Sequence, residues 1–321
     1  MKTSVLASAI VMAFSASAYA SDIITINPDA AGGDAAFQAG ALGWQNGNAI
    51  SLDVGTAVPV PGDQVGQVFQ TYAHASLANF TDANGDPIGG LTLNTAGGYE
   101  WTYVTGFQEI ITSATGVAPN GTVTFQTVAG GDNFFQIYFD ATRDADNLTG
   151  TGFNDGTLIL SGTILPFDAA TGEGASSFNA TGLGGALDQF GADNYPGITS
   201  VVGNGSSNLL VDVSFYDPAF FTGFLDLLAI NFDTFQNTPY QQQNPSACFW
   251  DGSAYIDGAG GQGTNCVNSV GAINGVSGPN FMFETRASSA FVTSVPEPAS
   301  LALLGAGLIG LGLARRRKNQ A

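Results

Sequence analysis

Acid–base chemistry in this chain could draw on one histidine, His74, and on 26 acids, among which the glutamates are only Glu100, Glu109, Glu173, Glu284 and Glu297. His74 lies in Thr71-Tyr72-Ala73-His74-Ala75, a segment with the composition of a strand. A serine relay needs a nucleophile beside a base that an acid holds in place. No Gly-x-Ser-x-Gly elbow is present to supply that nucleophile, so His74 reads as a strand residue. Glu100-Trp101-Thr102-Tyr103 sets one acid among aromatic rings. Such a carboxyl could titrate high, or such rings stack on a sugar, and a carboxylate pair including Glu100 would be the start of a glycosidase. The same four residues also fit a strand with aromatic core positions. Asp82-Ala83-Asn84-Gly85-Asp86 alternates oxygen-bearing side chains like the opening of a calcium loop, which makes Asp82, Asn84 and Asp86 candidate Ca2+ ligands. Pro87 stands where that loop has glycine and no glutamate closes it, while Asp and Asn equally serve ordinary turns. Apart from this candidate calcium ion, no cofactor is expected.

Cys248 and Cys266 are the only cysteines. A metal site would need further Cys or His ligands nearby, and a redox pair would be closer in sequence. In an exported chain the pair is expected to form one disulfide, fastening a long Gly- and Asn-rich loop by roughly 3 kcal/mol in the chain-entropy picture.

Charge excludes more than it suggests. Only 10% of the 321 residues are charged, and seven basic residues face 26 acidic ones, for a net charge of −19. Lys2, Arg315, Arg316, Arg317 and Lys318 sit at the two ends, which leaves Arg143 and Arg286 for the rest. Such a body cannot neutralise a phosphate backbone, so nucleic acid is not a partner. It should attract divalent cations diffusely and be repelled by anionic lipid.

Both ends carry targeting patterns. Lys2, the apolar run Val5–Phe14 and Ala18-Tyr19-Ala20 make residues 1–20 a signal peptide, cut between Ala20 and Ser21 by signal peptidase after passage through the secretion translocon. At the other end, residues 295–321 begin with Val295-Pro296-Glu297-Pro298. A charge-free run, Ala299–Ala314, follows, and then the basic cluster Arg315-Arg316-Arg317-Lys318. As a helix the run would extend about 24 Å, slightly short of a ~30 Å hydrocarbon core. The basic cluster would stay on the cytoplasmic side. Pro296 and Pro298 mark the start of this transmembrane helix.

Residues 21–294 read as one β-rich extracellular domain. Thr122–Val128 alternates in polarity, Gly130-Gly131-Asp132-Asn133 breaks the run and Phe134–Phe139 resumes it, which predicts a hairpin. Thr157–Leu165, Leu209–Tyr216, Leu227–Asp233 and Asn280–Thr285 have the same character. Short helices are candidates only at Ala219–Leu228, with Asp217 as cap and Pro218 at the first position, and at Ala180–Phe190. The expected fold is all-β: an antiparallel β-sandwich or jelly roll with long loops, followed by the C-terminal transmembrane helix.

The tail, Pro296-Glu297-Pro298 with its helix and the Arg315–Lys318 cluster, resembles the PEP-CTERM sorting signal, which is also labelled an ice-binding protein C-terminal domain. That label by itself implies no ice binding. The resemblance implies recognition by exosortase, a membrane cysteine protease, at the envelope of a Gram-negative-type bacterium. Transient insertion in the inner membrane would precede release to the cell surface or matrix. Three further stretches resemble the flocculation-associated PEP-CTERM proteins: Asp188-Gln189-Phe190-Gly191-Ala192-Asp193-Asn194-Tyr195-Pro196-Gly197, Val201–Ser206, and Gly275–Thr285. They imply a secreted protein that helps cells aggregate with exopolysaccharide. The expected function is therefore a non-enzymatic matrix, biofilm or floc component, with a lectin-like carbohydrate-binding module as the alternative and a carboxylate-pair hydrolase behind both.

Overall fold

A computed structural model describes residues 19–30, 32–54, 64–117, 120–223, 225–257, 266, 268–269 and 280–294. All the regular elements among them are strands. In chain order they are β1 (Tyr19–Ser21), β2 (Ile24–Ile26), β3 (Phe37–Ala39), β4 (Ala41–Leu52), β5 (Val68–Thr81) and β6 (Glu100–Val117). Then come β7 (Asn120–Thr127), β8 (Phe134–Asp140), β9 (Thr157–Ile164), β10 (Ala175–Ala186), β11 (Thr199–Tyr216) and β12 (Phe221–Thr222). The last are β13 (Leu227–Thr238), β14 (Cys248–Trp250), β15 (Tyr255–Asp257), β16 (Asn268–Ser269) and β17 (Phe281–Ser294).

The main sheet closes on itself. β4, β5, β6, β11, β13 and β17 are full-length staves, and two more staves are each made of two consecutive strands. β7 and β8 follow one another down the same edge of β6, with Thr127 opposite Glu109 and Phe134 opposite Gly106. β9 and β10 follow one another along β11, with Ile164 opposite Val211 and Ser176 opposite Ser207. β8 pairs with β9, and β7 with β10. The circuit continues from β11 to β13, β17, β4, β5 and back to β6, every step antiparallel. Neighbours in sequence are thus neighbours in space all the way round, and closure satisfies strand edges that would otherwise be open. The expected all-β antiparallel architecture holds. Facing walls pack across a shared interior as sandwich layers do, and the sheet continues round both sides.

The expected hairpin between Thr122–Val128 and Phe134–Phe139 does not form: the two strands are collinear. Residues 128–133 are pinned as an outward loop instead of a reversal. Asn133 Oδ1 accepts the Gln108 N–H at 2.7 Å, and Asn133 Nδ2 donates to the Val128 carbonyl at 2.8 Å. Tyr72 donates to Asp132 Oδ2 at 3.0 Å. Gly106 sits where the loop rejoins β6, and a Cβ there would lie 2.8 Å from the Asp132 carbonyl oxygen. The helices expected at Ala219–Leu228 and Ala180–Phe190 are also absent. Asp217 accepts the Ala219 N–H as a cap would, but the chain makes a single turn and enters β12. Ala180–Ala186 belongs to β10, whose backbone is taken up by β7 on one side and β11 on the other.

Alternation decides which side chains face the interior. Along β5, Ala73, Ala75 and Leu77 join the main core, while Tyr72 packs in a second cluster outside the barrel. The main core fills one end, where Trp44, Trp101, Tyr103, Phe135 and Phe291 are all buried. The small sheet of β12, β2 and β3 caps that end with Ile24, Ile26 and Phe221, and Trp101 Nε1 donates to the Pro28 carbonyl at 2.8 Å. The second cluster joins Ile50, Tyr72 and Met282 of the outer wall to Leu187, Tyr195, Tyr240, Phe249 and Ile256 of the loops. No helix among the described residues is long and apolar enough to cross a membrane. The transmembrane helix expected at 299–314 lies outside the described residues.

Candidate functional site

The loops over the outer wall gather most of the polar residues singled out by sequence. His74 is fully buried, its ring stacked on Phe153 at 4.1 Å and tilted against Phe249 at 5.1 Å. Its Nε2 lies 2.8 Å from Ser246 Oγ, a contact with no signature in the sequence because the partners are 172 residues apart. Both side chains are engaged in holding the loops to the wall. Ser246 Oγ donates to the Asn147 carbonyl at 2.5 Å, so the proton between it and the ring belongs to His74 Nε2. Burial pushes the His74 pKa down to about 3, which keeps the ring neutral. Glu100 Oε1 accepts the N–H groups of Asp144 and Ala145 at 2.8 and 3.0 Å. Burial raises its pKa, and those two donors pull it back. Glu284 Oε2 accepts the Gln241 and Gln242 N–H groups, both at 3.0 Å, in the same loop-fastening manner. Asp188 fastens the 188–197 loop, accepting from Phe190 at 3.0 Å and from the Asn194 backbone at 2.9 Å.

The calcium candidates form a local turn. Asp82 Oδ1 accepts the N–H groups of Asn84 and Asp86 at 2.8 and 2.9 Å, and these bonds hold its pKa down. Elsewhere Asp140, Asp144 and Asp155 bring carboxylate oxygens within 4.8 Å of one another. Their mutual repulsion adds to desolvation in raising the Asp144 pKa. Cys248 and Cys266 are joined by a disulfide with Cα atoms 5.7 Å apart. Ala20 and Ser21 lie in β1, opposite Thr293 and Val292 of β17, so the expected signal cut and the start of the tail are side by side. Pro296, Glu297, Pro298, Arg315, Arg316 and Arg317 lie outside the described residues.

The feature that sequence reasoning missed is inside the barrel. At the end closed by β7 and β10 the interior is hollow, with a cavity of about 70 Å³. Phe69, Phe107, Phe125, Phe178, Phe281 and Phe283 form most of its wall. Hydroxyls of Ser51, Thr71 and Ser176 and the carboxyl of Glu109 add a polar patch. Small serines on staves where the filled end has large residues leave the space open. Glu109 is 5% exposed, and its Oε1 has no hydrogen-bond partner. Burial raises the Glu109 pKa to about 7, with the Ser176 and Thr71 hydroxyls drawing it down. Only the alternation of Glu109 with Phe107 and Ile111 on β6 hinted that this acid points inward. The same end of the barrel exposes Val65, Val68, Val117 and Val202.

Residues 294–318 match the family described as the PEP-CTERM protein-sorting motif. No curated protein and no solved structure matches the chain. The motif marks an exosortase-targeted exported protein that is anchored in the membrane before processing.

Proposed function

We propose that this chain is a non-enzymatic cell-surface or matrix protein that associates with exopolysaccharide in flocs or biofilm after exosortase processing. The sorting motif at 294–318 is the observation that carries this reading. Three properties of the body support it. The body holds only Arg143 and Arg286 as cations in a chain of net charge −19, with no lysine between Lys2 and Lys318, which suits a hydrated, cation-rich exterior. The acids and the histidine that could have begun a catalytic site on the outer wall are engaged in fastening loops. The stretches that resemble flocculation-associated proteins, around Asp188 and Phe283, meet where Tyr240 donates to the Phe283 carbonyl at 2.8 Å.

Deleting the gene and scoring aggregation, with exopolysaccharide still produced, tests the role. Dispersed growth that is reversed by the intact gene is expected. Aggregation equal to the parent would remove the proposal.

A further inference from the structure

We propose that the hollow end of the barrel is a binding site for a small alkylammonium ion, with the ammonium donating to the Glu109 carboxyl and the alkyl chain lying among the phenylalanines. The inference goes beyond the matrix role and does not depend on it.

Three observations converge. Glu109 lines the cavity, and its Oε1 is buried with no hydrogen-bond partner, although an unmade hydrogen bond at a buried carboxyl is costly. Neither Arg143 nor Arg286, the cations among the described residues, lines the cavity. A cationic ligand would therefore supply the missing counter-charge. The wall is mostly apolar, so the ligand needs an apolar body behind its head.

Size and charge narrow the class. A dry cavity of about 150 Å³ takes up benzene, and this one holds about 70 Å³. The enclosed part thus fits a short chain and not a ring. An ammonium brings three donors and no acceptor. That matches a carboxylate acceptor, which Glu109 supplies. Anions are disfavoured by Glu109 and by the net charge of −19.

The position is consistent with capture from outside the cell. β17 begins at the cavity with Phe281 and ends at the capped end with Ser294, where the sorting motif begins. The cavity therefore lies at the pole opposite the tail.

Calorimetric titration of the exported protein with n-butylammonium chloride tests the proposal at about pH 8, above the Glu109 pKa of about 7. Saturable one-to-one binding is expected, weakened about tenfold or more in Glu109→Gln and for n-butanol in place of the amine. Ser176→Leu, which fills the hollow and keeps the carboxyl, should abolish binding. Absence of saturable binding to the parent protein would overturn the proposal. So would equal affinity in Glu109→Gln, equal affinity for butanol, or full binding by Ser176→Leu. Should either variant fail to fold, NMR of the parent protein decides. Ligand-induced shifts centred on the cavity phenylalanine rings are expected, and shifts centred elsewhere would contradict the site.

Discussion

At the scale of single residues, two buried titratable groups pull stability in opposite directions with pH. Glu109 has its folded pKa raised to about 7 from 4.5. The folded state therefore holds this proton more tightly than the unfolded chain does. Its favourable contribution is complete below about pH 4.5 and is lost as pH rises to about 7, amounting to roughly 3 kcal/mol. Glu109→Gln should remove that loss, so the variant should unfold at higher denaturant concentration than the parent at about pH 8 and lose the advantage near pH 4.5. A parent and variant with parallel pH profiles would contradict the burial of this carboxyl. His74 acts in the other sense. Its folded pKa of about 3 lies below the usual 6.5, so the unfolded chain takes up the proton first and stability falls as pH drops from 6.5 towards 3. His74→Gln should flatten the acid limb of the stability profile, read by denaturant melts across that range. An unchanged acid limb would show that the ring is not held neutral by its surroundings.

At the scale of elements, the disulfide and the split staves make separable predictions. The Cys248–Cys266 bridge ties β14 to residues just before β16, and Phe249 and Ile256 pack on the outer wall through Tyr72 and Met282. Removing it with Cys248→Ala and Cys266→Ala should cost up to roughly 3 kcal/mol. Hydrogen exchange should quicken in β14 and β15 and stay slow in β4, β5 and β6. Equally fast exchange in the barrel staves would show that the loop holds the barrel and not the reverse. Gly106→Val should be more disruptive, since a Cβ meets Tyr72, the Asp132 carbonyl and Phe134 at once. A thermal melt unchanged from the parent would contradict the packing at the break between β7 and β8. This break also shows what the sequence could not reveal. Alternation located β7, β8, β9, β11, β13 and β17 because side-chain period is local. Whether Gly130-Gly131-Asp132-Asn133 reverses the chain or loops out was decided by Gln108, Tyr72 and Gly106, which are distant in sequence. Ring closure likewise depends on β17 finding β4, more than two hundred residues away. Glu109 was visible only as a strand acid, because the hollow it faces is made by phenylalanines and serines from six other strands.

At the scale of the whole molecule, the barrel has two unlike poles. One is capped by β12, β2 and β3, receives the chain at β1 and releases it at Ser294 into the sorting motif. The other is hollow and edged with exposed valines. The acidic body would be repelled by anionic headgroups until the tail is cut. Pro296-Glu297-Pro298 is expected to commit this barrel to processing by exosortase. Replacing the three residues with alanine and fractionating cells tests it most directly. The account predicts a full-length form trapped in the membrane fraction, with little protein at the surface or in the medium. Release equal to the unaltered protein, with the tail removed as before, would contradict it.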